Sequence, residues 1–198
     1  MPSEEPAINA YVFMHLFEPG APREGFNKIE DVLDQFRSKT GVRWAHHFVG
    51  SFIAFGAVDA DSLEDLQARI AGEFWDAGVR SEWSLATRPS LYGAPHRGSP
   101  PFHALIRVRT KRRNPDDVLD DLDAAFAPIV DPLIGEYGED GWRDHFYYAA
   151  ATVSGKGFDI LVELAAASME DLTKLIFERI RPIEGVSSTD SSFAFIPE

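Results

Sequence analysis

Two stretches of the chain lie on each other without a gap. Residues 52–66 align with residues 158–172 at a constant offset of 106, and within them Ser62-Leu63-Glu64-Asp65-Leu66 and Ser168-Met169-Glu170-Asp171-Leu172 differ only by Leu for Met. In both copies a strand-like run leads into a capped helix. A period this long exceeds that of solenoid or propeller units, so it reads as a duplicated small domain. The 198-residue chain then divides into units of about 90 residues: a first repeat over 1–88, a linker over 89–100, and a second repeat over 101–198 with an insertion at 127–144. A unit that small buries only about two thirds of its unfolded surface. The halves are therefore expected to pack on each other or on a second chain.

The order of elements is the same in both halves. Strand-like runs fall at Ala10 to Phe17, Arg43 to Val49, Phe52 to Val58 and Val79 to Thr87. A helix over Asn27 to Phe36 carries Ile29, Val32, Leu33 and Phe36 at helical spacing, with Asn27 and Glu30 as an N-terminal capping signature. Gly41 follows its end. A second helix starts near Asp61 or Ser62 and carries Leu63, Leu66, Ile70 and Phe74 on one face. In the second half, Phe102 to Arg109 is a strand and Asn114-Pro115 opens a helix whose stripe is Val118, Leu119, Leu122 and Phe126. His145 to Val153 and Phe158 to Leu164 form a hairpin. Ser168 caps a helix with Leu172, Leu175, Ile176 and Ile180 inward; Pro182 and Gly185 end it, and Val186 to Ile196 is the last strand. The turn-rich segment Pro89 to Pro101 joins the halves. The expectation is an α+β chain of tandem ferredoxin-like βαββαβ repeats.

A ferredoxin-like sheet has helices on one face and leaves the other bare. In the first strand Tyr11, Phe13 and Phe17 alternate with Val12, Met14 and Leu16, so both sides are apolar and both should be covered. The expected cover is another antiparallel sheet packed face to face, within the chain or between two chains, as in αβ-sandwiches and dimeric α+β barrels. At least a homo-oligomer is expected.

Composition narrows the partners. A net charge of −13 argues against nucleic acid, because phosphate affinity needs a positive field, and Lys111-Arg112-Arg113 is the only basic run. No cysteine is present, which fits a reducing cytoplasm. The acidic N-terminus is not a signal peptide, and no run approaches the ~20 apolar residues of a membrane span. No nucleic-acid, membrane or cofactor partner is expected.

The run Thr152-Val-Ser-Gly-Lys-Gly-Phe-Asp-Ile-Leu-Val-Glu-Leu164, a helix, and then Ile183-Glu-Gly-Val-Ser-Ser-Thr-Asp-Ser192 resembles the ligand-binding domain of the Lrp/AsnC family of feast/famine regulators. The resemblance covers most of residues 145–196 and the first repeat only in outline. It implies small molecules such as amino acids bound between packed sheets, with the hairpin loop supplying polar contacts. The matching positions are Ser154, Gly155, Lys156, Gly157 and Asp159. Lys156 would hold a carboxylate and Asp159 an amine, while the glycines let backbone N–H groups face the ligand; the bland alternative is a hairpin turn that needs glycine for its geometry. His145 and Tyr147, in the aromatic run that follows the insertion, join this set as pocket-lining candidates or else fill the sheet interface. The first repeat has Gly50-Ser51-Phe52-Ile53 at the loop; Ile53 replaces the Asp, so one site per chain is expected. Family members carry a helix-turn-helix domain ahead of this module, and residues 1–9 leave no room for one.

Other constellations are weaker. His46 and His47 are neighbours on a strand and point to opposite faces. His15, His103 and His145 are strand residues without a ligating spacing, so no metal site is expected. Arg107 and Arg109 share a face and can clamp an anion or pair with acids. Residues 127–144, with Leu133, Tyr137 and Trp142, read as a lid or interface flap. Three classes follow: a small-molecule-binding module without catalysis; a dimeric α+β barrel enzyme such as a cofactor-poor monooxygenase, with Trp44, His46 and Tyr147 available; and a structural or partner-binding protein. No activated nucleophile or acid–base pair is evident, so catalytic residues are not assigned. Fold likeness alone does not carry function.

Overall fold

The apolar alternation resolves into eight strands, four in each half of the chain. The computed structural model describes residues 8–16, 31, 33–38, 41–49, 54–68, 79–89, 100–130, 145–153 and 157–195. Two compact units divide at Ala86, unit one over 1–86 and unit two over 87–198.

In unit one, β1 (Ile8–Leu16) lies between β3 (Ala54–Ala60) and β4 (Val79–Pro89), and β2 (Val42–His47) flanks β3, giving the antiparallel order β2-β3-β1-β4. Helical residues 33–37 (α1) and 63–68 (α2) supply Leu33, Phe36 and Leu66 to a core with Ala10, Val12, Met14, Ala45 and Val58. The other face of β1 is equally buried: Tyr11 and Phe13 join Phe55, with Tyr11 stacked on Phe55 at 5.5 Å and Phe13 tilted at 5.0 Å. The expectation that both faces of this strand are covered therefore holds. Leu63 departs from the expected stripe. It is the first residue of α2 and 50% exposed, whereas Leu66, one turn on, is buried.

Unit two repeats the order of pairing. β5 (Phe102–Thr110) lies between β7 (Ile160–Ala166) and β8 (Val186–Phe195), and β6 (His145–Val153) flanks β7, giving β6-β7-β5-β8. α3 (Pro115–Val130) begins where the side chain of Asn114 accepts from the Asp116 amide at 3.1 Å, a cap worth about 1 kcal/mol. Its stripe of Val118, Leu119, Leu122 and Phe126 is fully buried; each such side chain contributes about 1.5–3 kcal/mol. The helix runs through Pro128 to Val130, so the segment expected as an insertion from residue 127 starts as helix. Val130, one turn past Phe126, is still in the core, and that burial carries the helix beyond the proline. Residues 131–144 lie outside the described residues, as do 90–99 of the expected linker.

The two copies of the Ser-x-Glu-Asp-Leu motif cap alike. Ser62 Oγ accepts from the Asp65 amide at 3.1 Å, and Ser168 Oγ accepts from the Asp171 amide at 3.0 Å. The second opens α4 (Met169–Leu175), which continues as a π-helical turn, Ile176–Ile180.

Tyr147 fastens α3 to the sheet. Its ring stacks on Phe126 at 4.3 Å, and its hydroxyl donates to the buried Asp123 carboxylate at 2.8 Å. Tyr147→Phe keeps the stacking and removes the donor, so the unfolding free energy should fall by about 1.5–3 kcal/mol. Urea denaturation measures this; an unchanged midpoint would mean the phenol does not hold that carboxylate.

Candidate functional site

The hairpin end of unit two holds those members of the expected ligand loop that the structure describes. Gly157 takes φ +75°, a conformation open to glycine at little cost. Two residues on, the backbone of Asp159 joins two strands: its N–H donates to the Val108 carbonyl at 2.9 Å and its carbonyl accepts from the Thr152 amide at 2.8 Å. Its carboxylate turns inward to the end of β5, where Oδ2 accepts from the Thr110 amide at 2.7 Å and the Thr110 hydroxyl at 3.1 Å. Asp159 is thus a clasp between the hairpin and β5. The Arg109 guanidinium lies 3.6 Å from where a Gly157 Cβ would stand. Ser154, Gly155 and Lys156, with Gly50 to Ile53 of the first repeat, lie outside the described residues.

The other expected site residues sit apart from this corner. Tyr147 points to α3, as above. His145 is the first residue of β6, opposite Ala166, at the far end of that strand from the hairpin turn. Arg107 is paired with Asp190 and lies over the Phe158 ring at 6.0 Å. His46 and His47 sit opposite Phe55 and Ala54 and so alternate across β2. Among the described residues no cluster of three or more His, Asp or Glu is gathered where it could hold a metal ion. No described helix is long and apolar enough to cross a membrane.

A polar hollow of about 350 Å³ lies where the π-helical turn meets the start of β8, lined by Arg181, Val186, Ser187, Ser188 and Thr189. Three local irregularities build it. First, the turn closes with the Arg181 amide donating to the Ile176 carbonyl at 3.1 Å. Such turns widen a helix and recur at functional sites; on this one the Arg181 guanidinium stands 4.0 Å above the ring of Phe177, four residues back on the same helix face. Second, Gly185 takes φ +96° and is held by the Lys111 amide, which donates to its carbonyl at 2.8 Å. Third, the β5–β8 ladder shifts register between Arg109 and Thr110, and Ser187 Oγ donates to the Arg109 carbonyl at 3.0 Å there. Bulges of this kind re-aim side chains.

The chemistry of the hollow is that of an anion site. Arg181 Nε donates to Thr189 Oγ1 at 3.1 Å, which fixes the planar fork, and none of the described residues that line the hollow is a carboxylate. A guanidinium so held presents paired N–H donors matched to a carboxylate or phosphate, and the hydroxyls of Ser188 and Thr189 add further donors, that of Ser187 being engaged by the Arg109 carbonyl.

Comparison with known families and structures bears on the second unit and on the fold. The sequence model of the Lrp/AsnC ligand binding domain matches residues 148–196, which include Arg181 and the whole of β8. No curated protein matches the chain. Among solved structures, an anthrone oxidase-like protein is similar at 14% identity with a TM-score of 0.61, covering 98% of this chain and 93% of its own. A chlorite dismutase from Candidatus Nitrospira defluvii in complex with imidazole is similar at 11% identity and TM-score 0.57, covering 98% and 93%. At such identities the likeness is one of fold, the ferredoxin-like α+β plan of dimeric α+β barrel proteins.

The Gly-Val-Ser-Ser-Thr run that leads into β8 carries the family resemblance in the sequence, whereas Arg181 belongs to no motif. The available signal was its spacing: Arg181 stands four residues after Phe177 and eight before Thr189, at a helix end that proline and glycine close.

Proposed function

We propose that unit two is a small-molecule-binding module related to the effector-binding half of Lrp/AsnC regulators, and that it takes a small carboxylate of the amino-acid class in the Arg181 hollow. The observation that carries this reading is the guanidinium of Arg181, fixed by Phe177 and Thr189 at the mouth of a hydroxyl-lined hollow of about 350 Å³ inside the family-matched segment. A volume near the lower end of ordinary ligand pockets suits a compact molecule. The hairpin corner of Gly157, Arg109 and Asp159 lies at the same end of β5, since Ser187 bonds to the carbonyl of Arg109. Ser154, Gly155 and Lys156 belong to this ligand-facing turn in the proposal, with Asp159 as its clasp.

The two repeats are read as a duplication in which only the second keeps a site. The shared strand order and the matching serine caps support this. Binding is to the small molecule and not to nucleic acid, given the charge of −13, and homo-oligomerisation is expected from the sheet faces. The alternative of an enzyme on the same scaffold has fold likeness behind it and no acid–base pair among the residues above.

Calorimetric titration of the full chain with a panel of free amino acids and short carboxylates tests the proposal. One site per chain is expected. Arg181→Ala should weaken it at least about tenfold, and Arg181→Lys should restore part of the affinity without the planar fork. Two equivalent sites per chain, or an affinity indifferent to Arg181→Ala, would contradict it.

A further inference from the structure

The outer side of α4 carries apolar residues that the core does not use. Leu172, Leu175, Ile176 and Ile180 turn inward and are buried. Met169 and Phe177 stand outside that core and are 40% and 53% exposed. With Thr173 between them they are spaced four residues apart, along one face, and the next step of the same spacing is Arg181. Thr173 Oγ1 donates back to the Met169 carbonyl at 2.8 Å, so its hydroxyl is engaged by the helix and its methyl group is left to the surface. A second row, Glu170, Lys174 and Glu178, runs beside the first. The two rows line an open groove of about 490 Å³.

This groove leads to the Arg181 hollow. Phe177 lines its end, and the Arg181 guanidinium stands 4.0 Å above the Phe177 ring while its Nε reaches Thr189 in the hollow. From Phe177 back to Met169 the helix rises about 12 Å. Two turns of helix are far too little for a protein partner, since stable interfaces bury about 800 Å² a side, but they suit a single narrow chain. The charges set the polarity of that chain. Arg181 stands at one end as the seat for a carboxylate. Glu170 and Glu178 flank the apolar row with Lys174 between them, so a second carboxylate along the groove is repelled while a hydrocarbon tail is not.

We propose that the carboxylate held in the Arg181 hollow belongs to an amphiphile, a monocarboxylate whose uncharged, unbranched hydrocarbon tail lies in the groove over Phe177, Thr173 and Met169. The inference rests on the reading of Arg181 as the carboxylate site and narrows its ligand to long-tailed members of the class. Phe177 has two roles, since its ring supports the guanidinium and also borders the groove. Met169 has one. An unbranched thioether adapts to a flexible chain, and two turns of helix separate it from the head, so Met169 selects for tail length alone.

Calorimetric titration of the full chain with alanine, α-aminodecanoate and α-aminodecanedioate tests the inference, because the three share one head. Wild type should bind α-aminodecanoate at least about tenfold more tightly than alanine, and the dicarboxylate more weakly than α-aminodecanoate. Met169→Gln should weaken α-aminodecanoate about fourfold and leave alanine unchanged, whereas Met169→Leu should bind both as wild type does. Urea midpoints of the two variants should match wild type, since Met169 lies outside the core. Equal wild-type affinity for alanine and α-aminodecanoate would overturn the inference and leave the Arg181 reading standing. A tail preference that survives Met169→Gln in full would do the same, because the tail would then lie elsewhere. Absence of binding by every probe, or affinities indifferent to Arg181→Ala, would overturn the Arg181 reading and this inference with it.

Discussion

Gly185→Ala should destabilise the protein by about 2–4 kcal/mol, combining the penalty of a side chain at positive φ with the strain of overpacking. The backbone there has φ +96°, and an added Cβ would stand 2.9 Å from Val118 Cγ2 and 3.0 Å from Arg113 Cβ. Neither neighbour yields cheaply. Val118 is fully buried in the stripe of α3, and Arg113 is tied to Asp121 and to the Glu184 carbonyl. The same glycine links the π-helical turn to β8, since its carbonyl receives the Lys111 amide while Val186 beside it lines the Arg181 hollow. The variant should therefore lose ligand affinity along with stability, whereas Arg181→Ala should lose affinity with little change in unfolding. Urea denaturation and calorimetry on the same preparations separate the two effects. A Gly185→Ala midpoint within error of wild type would show that the loop relaxes around the methyl group and does not hold the hollow's shape.

What the sequence discloses follows from how local each signal is. The helix after Asn114 is legible because cap, proline and stripe lie within a dozen residues, and all four expected stripe residues are fully buried. The capped helices at Ser62 and Ser168 are legible for the same reason. Leu63 misled because helical spacing says which residues share a face but not whether the first turn lies over the sheet. The site is less legible. Arg181 reads as an ordinary charged residue at a helix end: its four-residue spacing from Phe177 puts the two on one helix face, but the i→i+5 bond of the π-helical turn and the bond to Thr189 on β8 are announced by nothing in the periodicity. Asp159 was visible as a chemically suggestive residue in a glycine-rich turn; its bonds to Thr110, 49 residues away, come from strand pairing that no local pattern encodes.

Stability should fall more steeply with acidification in wild type than in His103→Gln, and the difference should appear between pH 6.5 and 4. His103 lies on β5 opposite Ala165 and Ala194, so its neighbours across both ladders are methyl groups that offer no charge. Removal from water is the larger influence on its imidazole and lowers its pKa from 6.5 to about 4; a hydrogen bond with the Pro100 backbone pulls weakly the other way. The unfolded chain takes up this proton near the ordinary value of 6.5, the folded chain only near 4. Between those values the unfolded state binds more protons, so folding is disfavoured as the pH falls. The contribution is fully present above pH 6.5 and is lost progressively on acidification, by about 3 kcal/mol at most once the folded-state value is passed. Asp and Glu titrations also act at the lower end of this window, but they are common to both proteins and cancel in the comparison. Urea midpoints taken from pH 7.5 to 4 should therefore drop further in wild type than in His103→Gln over this window. Parallel curves would mean that His103 is as readily protonated in the folded protein as in the unfolded one, and that the helix-free face is wetter than its burial implies.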